Sequence, residues 1–160
     1  RIVRAMPNTP ALVGLGQTGL FALTPVTQVD RDWVDQVLAA TGQTLWVDAE
    51  SLLDAVTALS GSGPAYFFYF IEAMVQAGRD MGLSEAQAKQ LAVGTMAGAA
   101  ELARTSTESP AVLRQRVTSK GGTTYAALTH LEQQRVSEHF RLAIEKARAR
   151  AQELGEEFGR

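Results

Sequence analysis

The sequence predicts a mainly α-helical chain that opens with a short piece of an α/β sheet. Three observations carry this. Strand-like and helix-like segments alternate between residues 1 and 48, and from Asp48 onward no strand candidate appears. The run Tyr66-Phe67-Phe68-Tyr69-Phe70 then lies inside a helical stretch. A helix that is apolar all round is buried all round, and in so small a chain that points to packing against a second chain.

The elements follow in order. Ile2–Met6 reads as a strand stopped by Pro7, and Pro7-Asn8-Thr9-Pro10 as a turn, because each proline fixes its own φ and restricts its predecessor. Gly14, Gly16 and Gly19 read as more of that loop, with a second strand at Gly19–Ala22. Val29, Trp33, Val34, Val37 and Leu38 form a helical stripe over Val29–Ala40, closed by Gly42. Leu45–Val47 makes a third strand. Strand, helix, strand is part of an α/β sheet rather than a whole one.

A short helix over Ser51–Leu59 is expected to break at Ser60-Gly61-Ser62-Gly63. Pro64 then opens a helix to about Met81, with Gly82 as its left-handed cap. Ser84 and Gln87 form a capping box for a helix to Arg104. That helix carries Ala92, Gly94, Ala97, Gly98, Ala99, Ala100 and Ala103, which predicts tight packing within the bundle. Ser109-Pro110 starts a helix through Val117, another begins near Thr124, and the last spans Val136–Phe158. On this last helix Arg141 and Glu145 make an i,i+4 pair.

Composition excludes several classes of function. Fifteen Lys+Arg against seventeen Asp+Glu give a formal charge of −2. Such a chain has no long-range pull on nucleic acid or anionic lipid. There is no cysteine, so disulfide frameworks, thiolate catalysis and Cys-based metal sites are out. His130 and His139 are too few and badly spaced for a catalytic metal, and no metal is expected. The longest apolar run, Ala65–Ile71, is far shorter than the roughly 20 residues that cross a bilayer. The chain starts Arg1-Ile2-Val3-Arg4, without an initiator Met or a basic-then-apolar leader. The expectation is a cytoplasmic protein and a sequence that begins inside a longer one.

Three constellations offer chemistry. In Ser119-Lys120-Gly121-Gly122-Thr123-Thr124, paired glycines leave N–H groups unshielded where a helix begins. Orphan donors and the helix dipole there suit a carboxylate or phosphate; the alternative is an ordinary interhelix turn, with Lys120 a surface residue. Ser60-Gly61-Ser62-Gly63-Pro64 offers backbone at another helix start, or is a plain corner; it follows a helix, so it is no dinucleotide fingerprint. Met6-Pro7-Asn8-Thr9-Pro10 ends a strand, where ligands of open α/β sheets lie. Asn8 there either meets a ligand amide or caps its own turn. Glu50 follows the last strand, at the junction of the two textures, where interdomain sites form.

Taken together, the stretches Arg4–Ala11, Ala58–Tyr66 and Val117–Thr124 resemble the successive signatures of pyrroline-5-carboxylate reductase, in that family's order and spacing. The likeness covers essentially the whole chain. It implies the C-terminal remnant of a Rossmann-type domain at residues 1–48, then an all-α dimerisation and substrate-binding domain at 49–160 that interlocks with its twin as a homodimer or higher homo-oligomer. The family's first strand and Gly-x-Gly-x-x-Gly turn fall outside this sequence, so the chain alone is expected to be inactive. Lys120 stands where many members have proline.

The implied reaction is hydride transfer from NADPH or NADH to 1-pyrroline-5-carboxylate, giving L-proline. The implied substrate residues are Glu50, Ser119, Gly121, Gly122, Thr123 and Thr124, with the backbone N–H groups of Gly121, Gly122 and Thr123 holding the carboxylate and Thr124 Oγ, the catalytic group, meeting the ring nitrogen. The implied cofactor residues are Ala5, Met6, Pro7, Asn8, Ser62, Gly63 and Arg116. Two rivals remain at this level: a non-catalytic helical dimerisation module, and a two-domain hydroxy-acid dehydrogenase, which requires a buried catalytic lysine.

Overall fold

A computed structural model describes residues 1–158. The chain divides into two compact units, one made of Arg1–Tyr66 with the chain from Arg141 onward, the other of Phe67–Phe140.

The first unit holds a three-stranded sheet, β1 (Val3–Met6), β2 (Gly16–Ala22) and β3 (Gly42–Trp46), in the order β1-β2-β3. β1 runs antiparallel to β2, from Val3↔Ala22 to Met6↔Gly19. β2 and β3 are parallel, joined by the crossover helix α1 (Gln28–Leu38). The core sits on β2, where Leu20 is fully buried and Thr18 nearly so.

The expected second strand at Gly19–Ala22 is present but begins earlier, at Gly16, so Gly16 lies in β2 rather than in the loop. Gly16 and Gly19 serve close approach rather than turning. A Cβ on Gly16 would lie 2.6 Å from the Thr41 carbonyl oxygen, and one on Gly19 2.6 Å from Val56. Only Gly14, at φ 73°, is a turn glycine; it ends a 3-10 helix over Thr9–Val13. Gly42 starts β3 at φ 137°, where a Cβ would lie 2.1 Å from the Gly16 carbonyl oxygen and 2.5 Å from its nitrogen. Neither backbone atom can give way. Gly42→Ala is therefore expected to lower unfolding stability by about 3 kcal/mol or more, read by chemical denaturation.

α1 is set by its cap. Thr27 N–H donates to Asp30 Oδ2 at 2.8 Å, and the Thr27 hydroxyl accepts from Asp30 N–H. These bonds, helped by Arg1, lower the Asp30 pKa from 3.8 to about 2. A carboxylate with a depressed folded pKa stabilises above its unfolded value and loses that contribution as the pH falls. Asp30→Asn is expected to flatten the stability profile between about pH 4 and pH 2, measured by acid titration of unfolding. On the other flank of α1, Asp35 accepts from Thr44 Oγ1 at 2.7 Å and Trp46 Nε1 at 3.0 Å, fastening α1 to β3.

α2 (Leu52–Val56) does not stop at the expected break. It continues as a π turn over Thr57–Gly61, closed by Ser62 N–H donating to the Thr57 carbonyl at 2.8 Å, and α3 (Gly63–Asp80) follows directly. The Tyr66 hydroxyl donates to the Ala58 carbonyl. The last helix, α7 (Val136–Phe158), has the expected bounds; among the described residues Arg150 pairs with Glu153 and Glu157, and Glu138 with Arg135, but Arg141 and Glu145 do not pair.

The second unit contains most of α3, then α4 (Glu85–Thr105), α5 (Pro110–Arg116) and α6 (Thr123–Gln133). The Ser84/Gln87 capping box is present, and Gly82 is left-handed at φ 97°. The rings of Phe70 and Phe140 meet edge to face at 5.5 Å. Among the described residues of this unit, the buried apolar side chains are Ala88 and Ala92 alone. Tight packing along α4 is thus confined to its first half, beside Gly78. Gly94 and Gly98 face open space, which corrects the expectation of close packing along the whole small-residue face. Phe67, Phe68, Tyr69, Leu91 and Leu102 are each more than half exposed. Among the described residues no helix is long and apolar enough to cross a membrane.

Candidate active site

The candidate residues fall in two groups, one in each unit. In the first unit, β1 delivers Ala5 and Met6 to the sheet's end, and Pro7, lacking an N–H, stops the ladder. Asn8 neither caps the following 3-10 helix nor faces outward alone. Its Nδ2 donates to the carbonyl and hydroxyl oxygens of Ser60, both at 3.2 Å, and its Oδ1 accepts from Gln17 N–H at 2.9 Å. Gly61 lies against Met6, whose Cε would be 2.5 Å from an added Cβ. The Ser62 carbonyl accepts from Ala65 N–H in the first turn of α3, and Gly63 opens that helix.

Glu50 pairs with Arg4, and both are about half exposed. The pair sits at a cleft of about 420 Å³ whose wall includes Ala5, Met6, Leu53 and Phe158. The sequence reading picked Glu50 but missed Arg4 as its partner, because 46 positions separate the two.

In the second unit, the loop before α6 uses its two glycines differently. Gly121 is left-handed, at φ 75°. Gly122 is extended, and a Cβ there would lie 2.6 Å from Ser119 Oγ. Gly122 N–H donates to the Ser119 carbonyl at 3.0 Å, so in this conformation it serves the turn. Gly122 is also the N-cap of α6 and brings no side chain, which leaves the first-turn N–H groups of Thr123, Thr124 and Tyr125 without a side-chain cap. Lys120 is exposed and Thr124 half-buried. Arg116, at the end of α5, pairs with Glu108 at 2.6 Å. The eight-residue separation across Ser109-Pro110 gave no sequence signal for that pair. All three lysines, Lys89, Lys120 and Lys146, are exposed, which removes the support for a buried catalytic lysine. No group of His, Asp and Glu among the described residues could hold a metal ion.

Residues 50–154 match the family described as pyrroline-5-carboxylate reductase dimerisation. The chain belongs to this family. It is 45% identical to the pyrroline-5-carboxylate reductase of Pseudomonas aeruginosa over 158 residues, covering 99% of this chain and 58% of that protein. It is 45% identical to the Haemophilus influenzae enzyme over 157 residues, covering 96% and 57%. Among solved structures, a Coxiella burnetii pyrroline-5-carboxylate reductase superposes with a TM-score of 0.93 at 44% identity, covering 96% of this chain and 57% of that one. A Plasmodium falciparum pyrroline carboxylate reductase with NADP bound gives 0.90 at 33% identity, covering 97% and 63%. The chain therefore spans rather more than half the length of these relatives. The match with reductase structures runs through both the strands and the helices, so the fold is that of a reductase's helical dimerisation part preceded by the end of its Rossmann-type sheet.

Proposed function

We propose that this chain is the C-terminal portion of a pyrroline-5-carboxylate reductase, which reduces 1-pyrroline-5-carboxylate to L-proline with NADPH or NADH. Residues 1–48 then belong to its nucleotide-binding domain and residues 49–160 to its dimerisation and substrate domain. The observation that carries the reading is the loop Ser119–Thr124, which ends in a helix whose first donors have no internal cap. An uncapped helix start with glycines beside it is a ready carboxylate site.

The residues near Ala5 and Met6 fit the nicotinamide end of the cofactor, since the adjoining cleft has an apolar wall that suits a flat ring. Pro7 and Asn8 continue that segment, and Ser62, Gly63 and Arg116 are the further cofactor contacts of this reading. When bound, the nicotinamide supplies the hydride. The chain's own task is to orient the imine and stabilise charge. Gly121, Thr123 and Thr124 N–H groups hold the carboxylate, with Ser119 and Gly122 shaping the turn and Glu50 at the rim. Thr124 Oγ accepts the N–H of the protonated imine, then donates to the nitrogen lone pair that forms as the positive charge disappears. No strong general acid is required, which agrees with a site of hydroxyls and amides. The reading places a homodimer, or a higher homo-oligomer, in the cytoplasm, with neither nucleic acid nor membrane as partner.

The test is amide hydrogen exchange on the full-length protein with and without L-proline. Protection at residues 121–125 by proline, and none by pyrrolidine, which lacks the carboxylate, is the expected result. Equal exchange in all three samples contradicts a carboxylate site in this loop.

A further inference from the structure

Two of the motifs singled out above, Met6-Pro7-Asn8 and Ser60-Gly61-Ser62-Gly63-Pro64, engage each other. The antiparallel ladder of β1 and β2 ends at Met6↔Gly19. Continued by two residues, that register would pair residue 8 with residue 17, but Pro7 interrupts it. The Asn8 side chain takes over where the backbone stops, its Oδ1 accepting from Gln17 N–H at 2.9 Å. Its Nδ2 donates to Ser60 Oγ at 3.2 Å, and the Ser60 hydroxyl donates in turn to the Gln17 carbonyl at 3.4 Å, closing a ring of three side chain and backbone links.

The fourth bond explains Pro64. In a helix the Ser60 carbonyl would accept from residue 64. Residue 64 is proline and has no N–H. The carbonyl left over is the one Asn8 Nδ2 reaches at 3.2 Å. The π turn over Thr57–Gly61 brings it there, and π turns of this kind concentrate at functional sites. Gly61 lets the Met6 side chain lie against the turn, since an added Cβ would be 2.5 Å from Met6 Cε and would displace that terminal methyl.

We infer that Asn8 is a positioning residue, a clasp that fixes the Met6-Pro7 end of β1 against the π turn and so sets the surface on which the nicotinamide is oriented. The inference rests on the reductase reading for its consequence, but not for the clasp itself. The Asn8 amide is engaged by Ser60 and Gln17, so Asn8 acts through Met6 and Pro7, in place of the direct cofactor contact that the family resemblance implies for it.

The experiment uses the full-length protein and the variants Asn8→Asp, Ser60→Ala and Ser60→Thr. Asn8→Asp keeps an acceptor for Gln17 but loses the donor and sets a carboxylate oxygen against two oxygens of Ser60. Misplacing a reacting surface by a fraction of an ångström costs rate rather than binding. Asn8→Asp is expected to lower kcat by about 10- to 100-fold. The Kd of NADPH, from fluorescence quenching, should stay within about threefold, and amide exchange at Ala5 and Met6 should rise. Ser60→Ala should move in the same direction by less, and Ser60→Thr, which keeps the hydroxyl, should restore the wild-type values. A large rise in the Kd of NADPH with kcat preserved would make Asn8 a cofactor contact and overturn the inference. So would a lowered Tm with kcat unchanged in the folded variant, which is a purely structural role. If the wild-type protein does not turn over pyrroline-5-carboxylate, the reductase reading falls, and exchange alone decides the clasp: raised exchange in Asn8→Asp supports it and unchanged exchange overturns it.

Discussion

Phe68→Asp is expected to abolish self-association of the full-length protein at micromolar concentration. Phe67, Phe68 and Tyr69 are 55%, 59% and 70% exposed in the single chain, and Leu91 and Leu102 are 58% and 65% exposed. The unit that carries them buries only Ala88 and Ala92 among its described apolar side chains. Burying one such aromatic ring is worth about 1.5–3 kcal/mol. Replacing it with a carboxylate adds the cost of an unpaired charge in an apolar interface. Together these correspond to at least a 100-fold weaker dimer, by the rule that about 1.4 kcal/mol is a factor of ten. Sedimentation velocity reads the outcome directly: wild type sediments as a dimer or larger, and the variant as a monomer with reduced helicity. A variant that sediments like wild type removes the aromatic face of α3 from the interface.

Thr124→Val should lower kcat/KM for pyrroline-5-carboxylate by about 5- to 150-fold, matching the roughly 1–3 kcal/mol of one buried hydrogen-bond partner. Valine keeps the shape and removes the hydroxyl. The structure makes this a clean test, because Thr124 is the second residue of α6 and supplies no cap to it. Stability should therefore change little, and Thr124→Ser should recover most of the rate. Equal kcat/KM in wild type and a folded Thr124→Val protein would take the hydroxyl out of the mechanism.

Much of the helical part was legible because it is written in local signals. Ser84 with Gln87, Gly82 at φ 97° and Pro110 after Ser109 each act within one turn, and the structure shows all three. The strands were harder. Gly16 read as a turn residue, yet it sits in β2, where Thr41 crowds it from elsewhere in the chain. A glycine demanded by a distant neighbour looks the same in sequence as one demanded by its own φ. The π turn was hidden for the same reason: Ser60-Gly61-Ser62-Gly63 has the composition of a break, and only the bond from Asn8 to Ser60 shows what the carbonyl is for. The small residues of α4 misled in the other direction. Their spacing allows close approach, but Gly94 and Gly98 meet nothing within one chain. The Ser119–Thr124 loop was legible as a glycine-rich helix start, whereas the use of Gly122 N–H by the Ser119 carbonyl was not, since that depends on the left-handed Gly121 before it.

The most direct measurement is the oxidation of NADPH by the full-length protein in the presence of 1-pyrroline-5-carboxylate, followed at the cofactor's absorbance, with the product identified by chromatography. The account predicts that one L-proline forms for each NADPH consumed, and that a 2-oxo acid offered in place of the imine is left unreduced. NADPH consumed without proline, or a 2-oxo acid reduced in preference to the imine, would contradict it.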